Sequence, residues 1–547
     1  KFGVHEIVLT GDGSVTNPFD TVATVRFTPP SGAANAKTVW AFYDGENTWR
    51  ARVYASELGE WTWSSTCETD AGLHGKSGTF RCEPSKLRGR LLIHPKNPRQ
   101  WMTEDGRWFL NLNDTSYFLL CANDGAGNPV PDEDVRAYVT DATSRGITSF
   151  RSFIANGPKP FIGPGGSDRH RWNDLFADAE MTRPELDHLR VADHRLRWLL
   201  DEYPDAYMQF ILFPLGKPWR ADESVWTKMT VGQRERIMRC LIARFAAYPQ
   251  IFWLIVNDAH FGPDTLKMPS GVPRKLAFPN NCAMAREVGA FFQKNDPWQH
   301  PLSAGPARTV AFHFENEEWA TYIHLEDDYE LSASKCELYH AAAKPVFLGE
   351  DRYEHDHPET RDPRDMRYFQ RRLFWAWLLS GGSANYGGRW WALHPYTQTG
   401  QRPAPSAHHK DFTYKAPLTG LDSVKAIRDY FETRRIELSD FVPDHALASD
   451  PDGTPATRAP KLMRRGRDEF LVYHPNAAAD RQDARVDVNR TARLRLDLRD
   501  AAGSFRAEWY RAADGTTHDG GAVEGGRLAD MVAPWPGHDV LLRLSRQ

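Results

Sequence analysis

Six apolar residues in a row, ending in an amide and a carboxylate, constrain this chain more than any other stretch: Ile251-Phe-Trp-Leu-Ile-Val-Asn257-Asp258. Tyr248-Pro249 and His260-Phe-Gly-Pro263 bound the run, so its length predicts a strand rather than a helix. Apolarity on both faces requires cover on both sides, which is the setting of a parallel strand in an α/β fold. In a closed (β/α)8 barrel, polar residues at the C-terminal ends of the strands line the catalytic mouth, which makes Asn257 and Asp258 candidates for a site. Lys344-Pro-Val-Phe-Leu-Gly349-Glu350 repeats the pattern further along the chain. If both runs are barrel strands, the two carboxylates face one another across a single mouth.

A chain of 547 residues is more than one hydrophobic core usually organises. Residues 1–90 alternate in short runs such as Thr21–Phe27, Thr38–Tyr43 and Gly59–Trp63, broken by Asp12-Gly13, Asp44-Gly45 and Pro29-Pro30, which predicts an N-terminal Ig-like β-sandwich. Lys86–Arg99 reads as a linker. Residues 91–440 alternate strands with helical segments, the mark of a (β/α)8 TIM barrel. The expected strands are Trp108–Asn113, Ile147–Phe153, Tyr207–Phe213, Ile251–Asn257, Pro301–Gly305, Ala320–Leu325, Pro345–Gly349 and Ser383–Tyr386. The expected helices are Asp132–Arg145, Pro184–Tyr203, Thr230–Tyr248, Asn281–Asn295, Tyr329–Ala343, Arg364–Leu379 and Ser423–Leu438, with Pro184 as a first-turn proline. Residues 441–547 return to short strands (Lys461–Met463, Glu469–Tyr473, Thr491–Asp497, Phe505–Tyr510, Val540–Leu544), predicting a C-terminal β-sandwich with Trp509-Tyr510 and Trp535-Pro536 in its core.

A net charge of −4 without any Lys/Arg block provides no field for nucleic acid. No apolar run approaches a membrane span, and Lys1-Phe-Gly-Val-His lacks the apolar core of a signal peptide. Because the chain starts without Met, an extracellular or periplasmic location follows if an upstream signal was removed, and a cytoplasmic one otherwise. Six cysteines without a Cys-x-x-Cys pair argue against a zinc ribbon or thioredoxin-type site, and Cys67 and Cys82 either pair or stay free. With 19 Trp among the residues, surplus indole faces suit stacking on sugars.

Two carboxylates at a barrel mouth suit hydrolysis of a glycosidic bond, one protonating the leaving oxygen and the other attacking the anomeric carbon. Glu350 would be the ionised nucleophile, and Asp258 the acid kept protonated by burial and nearby negative charge. A separation of about 5–5.5 Å gives retention of configuration and about 6.5–9.5 Å inversion. The bland alternative for either residue alone is a helix cap or a partner for a loop arginine.

At these residues the chain resembles the clan of retaining glycosidases with (β/α)8 barrels, in which the acid follows an Asn ending strand four and the nucleophilic Glu ends strand seven. More narrowly it resembles the apiosidase family, through Gly106-Arg-Trp-Phe109 and Asn113-Asp114-Thr115 and through a β-sandwich ahead of the barrel. The resemblance implies that Asn257 binds the hydroxyl next to the anomeric carbon, Asp258 is acid/base, Glu350 is nucleophile, and Arg151 holds Glu350 ionised. The wider clan has Glu where this chain has Asp258, so the substrate sits closer to strand four or water intervenes. Apiosidase-like enzymes accept Asp there. His260 is the nearest substitute acid.

Several further residues carry two readings. Asp114 either binds sugar hydroxyls, as the resemblance suggests, or caps the loop Asn123–Gly127. Tyr322 and His324 alternate on strand six and face the same side, so His324 either hydrogen-bonds Glu350 or substrate, or is a satisfied core histidine. Trp390 and Trp391, after Tyr386-Gly-Gly-Arg389, form a sugar platform or pack internally. Glu354-His-Asp-His357 has the composition of a metal site but not its geometry, and no metal or other cofactor is expected. Gly163-Pro-Gly-Gly166 lacks the Lys-Ser/Thr of a phosphate loop, and no Gly-x-Ser-x-Gly elbow appears.

The expectation is a retaining glycoside hydrolase taking a carbohydrate substrate, exo-acting on a β-linked furanose such as apiose, arabinose or galactose in plant or microbial polysaccharide. The furanose rests on the resemblance alone. The alternatives are an endo-acting glycosidase on a pyranose backbone and a non-catalytic carbohydrate-binding protein on a degenerate barrel.

Overall fold

The computed structural model of the chain describes residues 1–123, 129–154, 175–178, 180–214, 226, 229–257, 259, 261, 265–267, 273–275, 279–307, 311–328, 331–353, 365–387, 419–453, 458–478 and 485–547. The fold is mixed α/β. Eight parallel strands form its centre among these residues: β1 (Leu112–Thr115), β2 (Ser149–Phe153), β3 (Tyr207–Pro214), β4 (Ile251–Asn257), β5 (Leu302–Ser303), β6 (Ile323–Glu326), β7 (Val346–Glu350) and β8 (Ala384–Tyr386). Six of them pair in the order β5-β4-β3-β2-β1-β8, every neighbour parallel. From β8 the pairing passes to β7 through the parallel bridge Phe347–Ser383, where Leu348 N–H donates to Ser383 O at 2.9 Å. β7 pairs in parallel with β6. Just before β6, Thr321 N–H donates to Leu302 O in β5, also at 2.9 Å.

Helices intervene as the alternation predicts: α1 (Asp132–Ser144), α2 (Leu186–Glu202), α3 (Val231–Phe245), α4 (Pro279–Asn295), α5 (Ser334–Leu338), α6 (Met366–Leu379) and α7 (Asp422–Arg434). Thr230 starts α3 with a capping box, its hydroxyl accepting from Gln233 N–H while the Gln233 side chain accepts from Thr230 N–H. β4 is buried along its whole length; Trp253 packs edge-on against Phe210 in β3 and Phe292 in α4 and donates its indole N–H to Asp296 at 2.9 Å.

Four local expectations need correction. The first parallel strand begins at Leu112, because Trp108–Phe109 instead turns back at Gly106 (φ 90°) and pairs antiparallel with Trp101–Thr103. That strand pairs with Leu91–Ile93, so the expected linker is itself part of a three-stranded sheet. Its Trp101 and Phe109 pack on Tyr207, Phe252, Tyr322 and Phe347. Pro184 precedes α2 rather than opening it, since Glu185 is the N-cap and its carboxylate accepts from Asp187 N–H. The helix expected over 329–343 shrinks to α5 because Leu331 and Ala333 adopt left-handed backbone (φ 51° and 55°), which a right-handed helix cannot contain.

Two antiparallel sheets precede the parallel strands, in the orders 3–10/48–55/42–43 and 37–40/23–28/59–67/77–82. Cys67 and Cys82 are unbonded thiols. Cys82 pairs with Gly59, eight residues along the strand from Cys67, or about 27 Å, so no bridge is feasible. A buried ion network docks these sheets on α2 and α3: Asp193 accepts from Arg52 and Arg244, and Arg244 also reaches Asp44 at 2.8 Å.

After α7 the chain forms two more antiparallel sheets, in the orders 442–443/461–465/469–474/540–546/504–511/517–524 and 448–449/491–497/528–536. Trp509 and Tyr510 are buried and Trp535 half-buried. The strand Thr517–Glu524 escapes sequence reading because it is an exposed edge whose Gly520-Gly521 interrupts any alternation. Arg371 of α6 forms a two-point ion pair with buried Asp539 at 2.9 and 3.1 Å, tying this region to the parallel core.

Candidate active site

Alternation along β1 sends Asn113 and Thr115 to one face, where they join a hydrogen-bonded layer across four strands. Asn113 donates to Ser149 at 2.7 Å, and Asn385 of β8 donates to Asn113 and Thr115 at 2.7 and 2.9 Å. Thr115 in turn donates to Gly349 O at 3.1 Å. On the other side Gln209 of β3 donates to Tyr322 at 2.8 Å and meets His324 Nδ1 at 3.3 Å. Burial, followed by the charge of Arg151, pushes His324 well below its ordinary range, so the imidazole is neutral.

Arg151 stands at the centre. Its Nη1 donates to Glu350 Oε2 at 2.8 Å and to Gly349 O at 3.1 Å. Its Nη2 donates to Asn257 Oδ1 and, at 3.2 Å, to Glu326 Oε1. Tyr117, whose ring lies 5.1 Å from the guanidinium carbon, donates its hydroxyl to the same Glu350 oxygen. Burial works against the cation, yet Tyr117, Glu350 and Glu326 around it hold its pKa well above the ordinary value. Tyr353 is pushed well above the ordinary phenol range by burial and then by Glu350 and Tyr117, so it too stays protonated. The side chains of Arg151 and Glu326 have no exposure, whereas Glu350 keeps 7%, which makes Glu350 the carboxylate of this group that a ligand can reach.

Gly349 explains how His324 fits. The β6–β7 register slips here, pairing Leu325 with Leu348 and Glu326 with Glu350, so Gly349 is the extra residue of a bulge. A Cβ on Gly349 would lie 1.8 Å from His324 Cε1. With the imidazole buried on all sides, Gly349→Ala is expected to cost about 3 kcal/mol or more and to displace Glu350 beside it; chemical denaturation and activity measured on the same preparation check both.

Of the residues singled out in the sequence, the structure brings together Arg151, Asn257 and Glu350, with Tyr322 and His324 buried in the layer beneath. Tyr322 donates to Trp253 O at 2.8 Å, and His324 Nε2 lies 3.7 Å from Glu326, the carboxylate next to Glu350 in register. Asp258, His260, Trp390 and Trp391 lie outside the described residues, as do 124–128, 163–166 and 354–357. Asp114 is not in the cluster. It occupies the opposite face of β1, where it accepts from Tyr138 of α1. Burial, opposed by that hydrogen bond and by Arg145, pushes its pKa from 3.8 to about 7.

A raised carboxyl gives stability that is present below the unfolded pKa and lost as pH rises towards the folded one. Wild type is therefore expected to lose about 4 kcal/mol relative to Asp114→Asn between roughly pH 4 and pH 7, read from urea midpoints of both proteins across that range.

Tyr117, Glu326 and Tyr353 are the members that sequence reading missed. Period-two spacing marks two of them: Asn113, Thr115, Tyr117 and Tyr322, His324, Glu326 each extend a series already begun. Nothing comparable marks Tyr353. Among the described residues no group of three His, Cys, Asp or Glu is placed to hold a metal ion, and no helix is long and apolar enough to cross a membrane.

Residues 1–68 match a domain of unknown function, DUF5060, and residues 192–436 match the apiosidase-like catalytic domain. No curated protein matches the chain in sequence. Among solved structures, a protein of Bacteroides vulgatus ATCC 8482, described provisionally as a glycoside hydrolase, superposes with a TM-score of 0.68 at 16% identity, covering 100% of this chain and 99% of that one. A glycoside hydrolase family 5 structure from the same organism gives 0.59 at 16% identity, covering 85% and 95%. Residues 192–436 thus resemble the apiosidase-like catalytic domain, within a chain that shares its fold with structures described as glycoside hydrolases.

Proposed function

We propose that the chain is a retaining glycosidase, exo-acting on a β-linked furanose such as apiose, arabinose or galactose. In this reading 91–440 is a closed (β/α)8 barrel, between a β-sandwich at 1–90 and another at 441–547. The hydrogen bond from Thr321 to Leu302 and the Phe347–Ser383 bridge support closure, because they join the two ends of the six-stranded sheet to the β6–β7 pair. The observation that carries the functional reading is Glu350 at the end of β7, held by Arg151 and Tyr117, with Arg151 also bonded to Asn257. A carboxylate fixed by a cation and a phenol is ionised and aimed, as a nucleophile must be.

Asp258 follows Asn257 in the chain and supplies the acid. Glu350 attacks the anomeric carbon while the bond to the leaving oxygen breaks, its electron pair staying on that oxygen, which takes the proton of Asp258. Water then adds to the anomeric carbon, gives a proton to Asp258, and releases Glu350 as carboxylate. Asn257 holds the neighbouring sugar hydroxyl, and Trp390 and Trp391 offer flat faces to the ring. The apiosidase-like match supports a furanose. The test is hydrolysis of a panel of para-nitrophenyl furanosides and pyranosides and of plant polysaccharides, with product sizing. Single sugars from a furanoside are expected. A ladder of oligomers would indicate endo action, and binding without hydrolysis of any substrate would indicate a lectin-like protein.

A further inference from the structure

We propose that Glu326 is a positioning residue that balances charge: the permanent anion that keeps Arg151 compensated while Glu350 is tied up as an ester. The proposal rests on the double displacement proposed above. Glu326 and Glu350 face each other in register on β6 and β7, and the Arg151 guanidinium lies between them, Nη2 on one and Nη1 on the other. Like charges directly opposite on neighbouring strands are unfavourable unless a cation joins them. Packing alone therefore gives no reason for a second carboxylate here, but the reaction does.

Before attack the group carries one positive and two negative charges. When a Glu350 oxygen bonds to the anomeric carbon and the leaving oxygen departs with its electron pair and the acid's proton, Glu350 becomes a neutral ester. Arg151 and Glu326 then form a one-to-one pair. Without Glu326 the same step, which moves the negative charge to Asp258 as it gives up its proton, would leave the fully buried guanidinium with no carboxylate bonded to it among the described residues, which the interior penalises heavily. Attack of water restores the Glu350 anion and the starting charge. Glu326, having no exposure, does not meet the sugar, so its influence passes through Arg151.

The test uses the full chain and para-nitrophenyl furanosides of apiose, arabinose and galactose. Glu326→Gln is expected to lower kcat/KM, which reports formation of the ester, by about tenfold or more, while inhibition by the free sugar stays within about twofold of wild type. Glu326→Asp keeps the charge and is expected to remain within about threefold of wild type. Should the Gln variant not fold, Glu326→Met fills the volume without charge and takes its place. Wild-type kcat/KM in a neutral variant, or an Asp variant as impaired as Gln, overturns the role given to Glu326. If wild type cleaves none of the furanosides, or Glu350→Gln keeps turnover, the glycosidase reading fails and the role of Glu326 falls with it.

Discussion

Replacing Glu350 with Gln is expected to lower hydrolysis of an aryl glycoside on the order of ten-thousandfold while leaving sugar binding measurable. The substitution preserves shape and removes the anion. Gln can still accept from Tyr117 and Arg151, so the pocket survives, but its amide oxygen cannot form the ester. Steady-state rates and equilibrium binding on one preparation separate the two effects. A variant that lost binding as completely as turnover would place Glu350 in the architecture of the pocket rather than in its chemistry.

Arg151→Met should be the most destabilising single change in the centre of the fold. Two carboxylates, an amide and a phenol converge on this one fully buried guanidinium. Removing it leaves two buried anions facing each other on adjacent strands, which is expected to cost about 3–5 kcal/mol, read as a lowered urea midpoint at unchanged slope. Arg151→Lys retains the charge but not the fork, and cannot reach Glu350 and Glu326 as two separate donors. It should recover part of the stability and little of the activity. Equal stability of the Met variant and wild type would mean that the network holds nothing together.

Much of this fold was legible because its signals are local. A fully apolar run such as Ile251–Val256 has few stable settings, and the regular alternation with helical segments orders eight such strands. The errors arose where a tertiary contact decides. Trp108–Phe109 looks like a barrel strand in isolation, but the turn at Gly106 folds it back so that its aromatic residue can cover the ends of the parallel strands. The bulge at Gly349 depends on where the His324 ring goes, which no one-dimensional pattern records. In the site, Asn257 and Glu350 were visible as polar residues ending apolar strands, whereas Arg151 lies within β2 and was marked by the family resemblance alone. Glu326 was obscured because its strand was ended one residue early, Tyr117 because it lies two residues beyond the end of β1, and Asp114 was misplaced because its neighbours Asn113 and Thr115 hold the inward face.

The central claim is that Glu350 forms a covalent bond to the sugar. The most direct measurement is peptide mapping by mass spectrometry after wild-type enzyme has been inactivated with a fluorinated, activated analogue of the furanoside it cleaves, which slows release of the ester. A single sugar adduct on the peptide containing Glu350, absent in Glu350→Gln, is the predicted result; active enzyme that never acquires an adduct, or acquires it on another residue, would contradict the account.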